Sequence, residues 1–514
     1  MKKAAFSIMI ITILSKILGF GRELVLSYTY GASSITDAYL VSQTIPTVIF
    51  GFISTGITIG FVPMYSRILN EEGQLSAHKY TSNLINALLL LASVTVVLVQ
   101  FLTLPMVRLF ASGFSGETLE MTVRFTRIIV LGVYFTTLHN ILASYLRLHG
   151  NYVIPALVGF PMNLIVIAAL LISTSTSVYL IVIGSVLGTA SQLLLLIPFV
   201  RKTGYRWMPA LDLGDKYIKM MFAIALPVIF GRSVDQINLL VDRTLASTIA
   251  EGGISALNYA NRLNGFVQGL FVVPITTVIY PLISRVAAEK NIKGLKSYIS
   301  EAVATINLLV IPVTIGAMIF SEEIVVLLFG RGAFSPEAIA MTSSALLYYS
   351  LGMIAIGLRD ILSRAFYALQ DTRTPMINTA IAVMMNIVLN LVFSRLMGIG
   401  GLALATSLSG IISALLMFVT LKKKIGSFGL REISISFLKI SIASSLMGLV
   451  ALWGFNILVE TLHQNTALIL AIGVGALTYV VIVCFMKIPE VERTLKAVKT
   501  KLGQKKMGSK WGDQ

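Results

Sequence analysis

Residues 178–200 read VYLIVIGSVLGTASQLLLLIPFV, without one charged side chain, and Arg201-Lys202 follow at once. At 1.5 Å per residue, a helix of that length crosses a hydrocarbon layer about 30 Å thick. Outward from this stretch the pattern repeats. Apolar runs bounded by charges or turn residues lie near 4–30, 35–63, 82–104, 125–148, 153–175, 178–200, 217–241, 254–281, 299–320, 340–367, 375–394, 400–421, 435–458 and 465–486. The reading is an all-α polytopic membrane protein of about fourteen transmembrane helices. Composition agrees: 56% of residues are hydrophobic and 12% charged, against roughly 25% charged in soluble proteins. The same figures exclude disordered, fibrous and disulfide-rich classes. The single cysteine, Cys484, allows no intrachain disulfide and no thiolate cluster, and the four histidines have no ligand spacing. The first run begins like a signal peptide after Lys2-Lys3, but it lacks a small-residue cleavage site and continues through Lys16 and Arg22. It reads as a retained helix.

The net charge of +17 is distributed by topology. With a cytoplasmic amino terminus, the even-numbered connections and both ends hold 29 of the 40 basic residues, including Arg201, Lys202, Arg206 and Lys422 to Lys424. The opposite connections hold Arg108, Arg124, Arg127, Arg243, Arg331 and Arg395. This positive-inside asymmetry places both termini in the cytoplasm, so the basic pI needs no nucleic-acid partner. The eight Lys and Arg from Lys487 onward, with Trp511, read as a solvated or lipid-surface tail.

An internal repeat appears when the chain is slid along itself. Pro63-Met-Tyr-Ser66-Arg67 matches Pro281-Leu-Ile-Ser284-Arg285, and Tyr39 matches Tyr259. Tyr145 matches Tyr367, and Met162-Asn163 matches Met385-Asn386, all at nearly one offset. The expected domains are an N-lobe at 1–205, a C-lobe at 206–424, two appended helices at 425–487 and a basic tail at 488–514. Six spans per lobe give both lobes one orientation, related by a pseudo-two-fold axis along the membrane normal. Transporters that rock two lobes about a central site are built this way.

Charges inside spans carry the functional reading, because a charge at mid-membrane costs at least about 2.5–3.5 kcal/mol and normally faces a polar interior. Lys16 falls near the middle of the first span, with Arg22 and Glu23 beyond Gly19-Phe-Gly21, where a bend is possible. Span eight contains Asn258-Tyr-Ala-Asn261-Arg262-Leu-Asn264, a polar stretch that suits a wet cavity wall. Lys16, Arg22 and Arg262 in one cavity, with little compensating acid, are expected to attract a phosphate or diphosphate. Two plainer readings stand beside this: Lys16 pairs with Glu23 while Arg22 snorkels, and the asparagines clamp neighbouring helices. A second cluster, Asp235 with Asn386, Asn390 and Thr406, offers oxygen ligands from three helices and suits a hard monovalent cation. Alternatively, Asp235 pairs with Arg232. Arg359-Asp360 reads as a self-compensated pair, and Arg364, Asp371 and Arg373 as a hinge network.

Ser15-Lys16-Ile-Leu-Gly19-Phe-Gly-Arg22-Glu23, Thr36-Asp37-Ala38-Tyr39 and Phe61-Val-Pro63 resemble the amino-terminal signature of the MurJ (MviN) lipid II flippases. Tyr259-Ala-Asn-Arg262-Leu and Arg364-Ala-Phe-Tyr-Ala-Leu-Gln-Asp371-Thr-Arg373-Thr-Pro375 resemble two further signatures of that family. The resemblance covers essentially the whole chain. It implies the multidrug/oligosaccharidyl-lipid/polysaccharide (MOP) exporter fold, and movement of undecaprenyl-diphosphate-linked peptidoglycan precursor (lipid II) from the inner to the outer leaflet of a bacterial plasma membrane. It implies that the family's cavity arginines correspond to Lys16, Arg22 and Arg262, with Lys16 keeping the charge but losing the bidentate fork. A fourth family arginine falls at Phe50 and a family acid at Thr55. Asp37 matches a functional aspartate, although a first-turn acid favoured by the helix dipole fits it as well. The expected substrate contacts are therefore Lys16, Arg22, Arg262, Glu23, Asp37, Asn258 and Asn261. The expected ion is sodium at Asp235, Asn386, Asn390, Thr406 and the carbonyl of Leu402, with Asn390 in place of a second carboxylate. Membrane lipid and the cell-wall synthesis machinery are the expected partners, and a monomer the expected state. The alternatives are a flippase for another polyprenyl-linked polysaccharide unit and a cation-coupled exporter of the same superfamily. An exporter of cationic drugs would need acidic cavity residues, and an enzyme would need carboxylates or histidines clustered on sizeable loops; this chain offers neither.

Overall fold

The computed structural model describes residues Lys2 to Met486. The tail from Lys487, and the side chains of residues 1–7, 52–59 and 224–235, lie outside the described residues. With them go the basic tail at 488–514 and the side chains of Thr55, Arg232 and Asp235. Among the described residues every regular element is a helix. In order these are α1 Lys2–Tyr30, α2 Ser34–Glu72, α3 Gln74–Phe110, α4 Gly116–Ile129, α5 Gly132–Leu148, α6 Val153–Leu157, α7 Gly159–Ser173, α8 Tyr179–Lys202 and α9 Lys216–Ile249. Then follow α10 Gly253–Val267, a π-helical turn Gln268–Val272, α11 Val273–Ala288, α12 Ile292–Ile319, α13 Ser321–Phe329, α14 Pro336–Ala368, α15 Arg373–Ile425, α16 Leu430–Leu458 and α17 Gln464–Phe485. Ten spans among the described residues are long and apolar enough to cross a membrane.

The helices begin where the sequence provides caps. Ser33 accepts from the Thr36 amide, Asp215 from Tyr217 and Ile218, and Asn291 from Gly294. Three of the expected continuous spans are interrupted. Span four is α4 and α5, broken at Val130-Leu131; span five is α6 and α7, broken at Val158; span eight passes through the π turn. Spans eleven and twelve are the two halves of α15, which reverse at Gly398 (φ 58°, ψ −133°), a conformation that an L side chain rarely adopts. Gly401 completes the reversal, because a Cβ there would meet the Phe393 carbonyl at 2.0 Å.

Packing separates the chain into two compact units. The first holds the chain up to Asn258 with Leu328–Ile339; the second holds Tyr259–Leu327 and the chain from Ala340 on. The division falls inside α10, later than the repeat junction at 205/206. The cause is α9, which lies along α2 so closely that a Cβ on Gly60 would come within 2.6 Å of Met221. The core of the first unit is rich in aromatic rings. Phe61, Tyr65, Tyr80, Tyr145, Tyr205 and Tyr217 pack with Leu84, Leu88 and Leu196. In the second unit, α16 and α17 form a hairpin against α12, through Phe320 on Phe455 and the Tyr479 hydroxyl donating to the Leu308 carbonyl at 2.7 Å. The two appended helices are thus a packed wall of this unit. Large apolar side chains face outward, including Phe101 at 83%, Leu477 at 70% and Phe485 at 81% exposure, as a lipid-facing surface requires. Cys484 is exposed on α17.

Candidate functional site

The first unit builds its polar interior from α1, α2, α5 and α8. α1 is helical throughout, Gly19 and Gly21 included. Arg22 and Glu23 are partners: Arg22 Nη2 donates to Glu23 Oε1 at 2.9 Å, with the side chains 21% and 6% exposed. Asn258 Nδ2 on α10 reaches the other carboxylate oxygen of Glu23 at 3.5 Å. Of the expected substrate contacts, the fold therefore gathers Arg22, Glu23 and Asn258. The expectation of cations with little compensating acid is corrected at Arg22, and so is the alternative of a Lys16–Glu23 pair. A half-buried guanidinium without a counter-charge is costly, and the neighbouring carboxylate offsets that cost. Lys16 lies exposed six residues earlier on α1.

Arg22 also lines a cavity of about 440 Å³ inside this unit, with Tyr39, Gln43, Thr47 and Phe50 from α2 and Ser185 and Thr189 from α8. Tyr39 and Ser185 share a hydrogen bond of 2.8 Å between their hydroxyls. Phe50 is buried in the wall, so the position expected to carry a fourth arginine is in place but holds a phenyl ring. Apart from Arg22 and Phe50, the sequence reading did not anticipate these residues. A signal was available: Tyr39, Gln43 and Thr47 are polar at four-residue spacing along α2, as are Ser185 and Thr189 along α8. Guanidinium, amide and hydroxyl groups line it together with Pro46, Phe50, Ile129 and Val133, giving a concave site for a polar anionic group with an apolar neighbour.

Asp37 does not line this cavity. Its Oδ1 accepts from both the amide and the hydroxyl of Ser255, each at 2.7 Å, and so caps the start of α10. In return Glu251 Oε1 accepts from the Ser34 amide at the start of α2, at 3.3 Å. Arg243 donates to the Ile254 carbonyl in the same corner. Asp37 is thus a buried helix cap, but for α10 rather than for its own helix. Asn261 and Arg262 are exposed on α10, with Arg262 four residues beyond Asn258 and on the same helix face.

In the second unit, four of the five expected ion ligands lie together. Asn390 Nδ2 donates to Asn386 Oδ1 at 2.8 Å, and Asn386 Nδ2 reaches the Thr406 and Ser409 hydroxyls at 3.4 Å. Thr406 donates to the Leu402 carbonyl at 3.1 Å. These groups are neutral and largely satisfy one another across the α15 reversal, while the side chain of Asp235 is outside the described residues. Two further expectations are corrected by spacing: Asp360 pairs with Arg364, one turn on, at 3.4 Å rather than with Arg359, and Asp371 holds Lys424 and Thr374 rather than the neighbouring arginines.

Comparison with known proteins gives a consistent result. Residues 26–473 match the family described as MurJ, lipid II flippase MurJ. The chain is 30% identical over 503 residues to a probable lipid II flippase MurJ of Thermotoga maritima, covering 96% of this chain and 98% of that protein. A solved lipid II flippase MurJ in an inward closed conformation superposes with a TM-score of 0.81 at 27% identity, covering 93% of this chain and 98% of that one. An inward-facing multidrug MATE transporter of the MOP superfamily superposes at 0.66 and 15% identity over 82% of this chain and 98% of that one, which is a likeness of fold alone.

Proposed function

Because the chain belongs to the MurJ family of lipid II flippases, we propose that it moves undecaprenyl-diphosphate-linked peptidoglycan precursor from the inner to the outer leaflet of the bacterial plasma membrane by alternating access. The observation that carries the chemical part is Arg22. It stands in the wall of a polar cavity with one of its five N–H donors on Glu23 and the fork otherwise able to meet a phosphate. Glu23 and Asn258 hold the guanidinium in place, and Tyr39, Gln43 and Thr47 offer hydrogen bonds to the headgroup. Lys16, Arg262 and Asn261 join as further headgroup contacts on the strength of the sequence resemblance. Asp37 acts as a fixed post at the start of α10. The isoprenoid tail stays in lipid throughout.

The chain crosses the membrane fourteen times in this reading, with α1, α2 and α9 as spans and α15 crossing twice. Both termini are cytoplasmic, and the six-span repeats at 1–205 and 206–424 are the moving lobes. It works as a monomer that delivers its product to the cell-wall synthesis machinery. No step is routed through sodium. Translocation in vesicles with sodium replaced by choline tests that ion, and an unchanged rate removes it.

Arg22→Ala and Arg262→Ala are expected to lower translocation at least tenfold at normal expression, since each removes a charge-assisted contact to phosphate. Accessibility of the precursor on the outer face of cells depleted of their own flippase measures this. Normal flipping by Arg22→Ala would refute the role.

A further inference from the structure

Residues 203–215, between α8 and α9, have neither helix nor strand, yet the segment is tied down along its length. Ser82 exchanges a hydrogen bond with the Tyr205 hydroxyl and accepts from the Met208 amide. Asn83 pairs with both backbone groups of Asp212, accepting at 2.7 Å and donating at 2.9 Å. Asn86 donates to the carbonyls of Met208 and Ala210, and its Oδ1 accepts from Trp207 Nε1 at 3.0 Å. Three neighbouring polar residues of α3 thus fasten a strap that would otherwise be a loose loop.

Under the strap lies a cavity of about 710 Å³, separate from the one holding Arg22. Its walls are aliphatic: Ile85 and Leu89 of α3, Leu138 of α5, and Leu193 and Ile197 of α8. One end carries Arg201 from the last turn of α8 with Arg206 and Trp207 of the strap, all exposed, and no carboxylate is among the described lining residues. The two acids of the strap are engaged elsewhere, Asp212 on the Gly214 amide and Asp215 capping α9. Beside the slot the surfaces of α3 and α8 continue apolar, with Leu90 and Leu194 exposed. An aliphatic slot with two arginines and an exposed, hydrogen-bonded tryptophan at one end matches the layering of a membrane interface. Basic pockets between transmembrane helices recognise anionic headgroups.

We propose that this slot binds an anionic phospholipid, one acyl chain lying between α3, α5 and α8 and the phosphate resting on Arg201 and Arg206 beside Trp207. The site lies apart from the Arg22 cavity, so it stands or falls independently of how the precursor is held. A peptide partner is disfavoured by the slot itself, whose aliphatic walls present no polar groups to a peptide backbone. The area around Trp207 provides the reporter.

The test uses the full chain with Trp453→Phe and Trp511→Phe, which leaves Trp207 as the single indole. It is reconstituted in phosphatidylcholine vesicles containing either brominated phosphatidylglycerol or brominated phosphatidylcholine. Quenching of Trp207 fluorescence is expected to favour the anionic lipid roughly tenfold. The preference should vanish in Arg201→Gln/Arg206→Gln, persist in Arg201→Lys/Arg206→Lys, and vanish in Leu193→Phe, which fills the slot but spares both cations. Equal quenching by the two lipids, or a preference that survives the glutamine pair or Leu193→Phe, overturns the proposal. Displacement of the brominated lipid by a stoichiometric polyprenyl diphosphate overturns it too, assigning the slot to an isoprenoid chain.

Discussion

Arg22 keeps its charge within the first unit because Glu23 answers it at 2.9 Å and Asn258 steadies the carboxylate from α10. Glu23→Gln leaves that guanidinium without its counter-charge, and we expect a loss of about 1–3 kcal/mol, well below the fully buried limit because Arg22 is partly solvated. A thermal unfolding midpoint in detergent equal to that of the wild type would contradict this. Asp37→Asn weakens the cap on α10 by about 1 kcal/mol, and Ser255→Ala, which removes the hydroxyl that donates to Asp37, should cost about the same. The double variant should cost little more than either alone, since both remove one contact. At this scale the sequence located Arg22, Glu23 and Asn258 because charges and amides stand out in an apolar helix. It could not assign the partner of Glu23: Lys16, one heptad away, shares its helix face, whereas Arg22, next in sequence, reaches it only because its side chain is long. Tyr39 and Thr47 were overlooked because hydroxyls are common in membrane helices and gain meaning only when several line one wall.

Each helix interruption has a local signature. Gly132 follows the break at Val130-Leu131, Gly159 follows Val158, and Gly269 lies in the π turn. Hydropathy alone reads across such breaks because the apolar character never lapses. Gly398 is the exception in kind, since its positive φ reverses the chain between two halves of one long apolar segment. Gly398→Ala is expected to cost at least about 1–2 kcal/mol and to reduce the folded yield, which fluorescence-detected size exclusion would reveal. At the turn between α14 and α15, the hydrogen bond from Lys424, aided by Thr374, holds the Asp371 carboxyl down to about 2, against an ordinary 3.8. A depressed carboxylate stabilises the fold above its unfolded value and loses that contribution as pH falls toward the folded one. Wild type and Asp371→Asn should therefore differ in melting temperature by a constant amount from pH 5 to 8, with the difference shrinking from about pH 4 down to about pH 2. A gap that widens in acid would show that another group governs the turn.

The fold class was legible because a bilayer permits few solutions: backbone groups in hydrocarbon must pair within the segment, so uncharged runs become helices. The division into compact units was not legible, because the repeat records sequence similarity while compactness records packing, and α9 packs on α2. The mutual capping of α2 and α10 joins residues 218 and 217 positions apart, within one residue of the offset that relates Pro63 to Pro281. A green fluorescent protein fused after the tail should fluoresce, and alkaline phosphatase fused there should be inactive, if both ends are cytoplasmic; the reverse pattern would invert the topology. The thiol of Cys484 sits on an outward face of α17 among greasy neighbours. Water-soluble maleimides react with aqueous thiolates, so the native chain should be nearly silent to them. Probes engineered at the strap, or at the corner where Glu251 meets Ser34, could then be tagged for spectroscopy without first deleting anything.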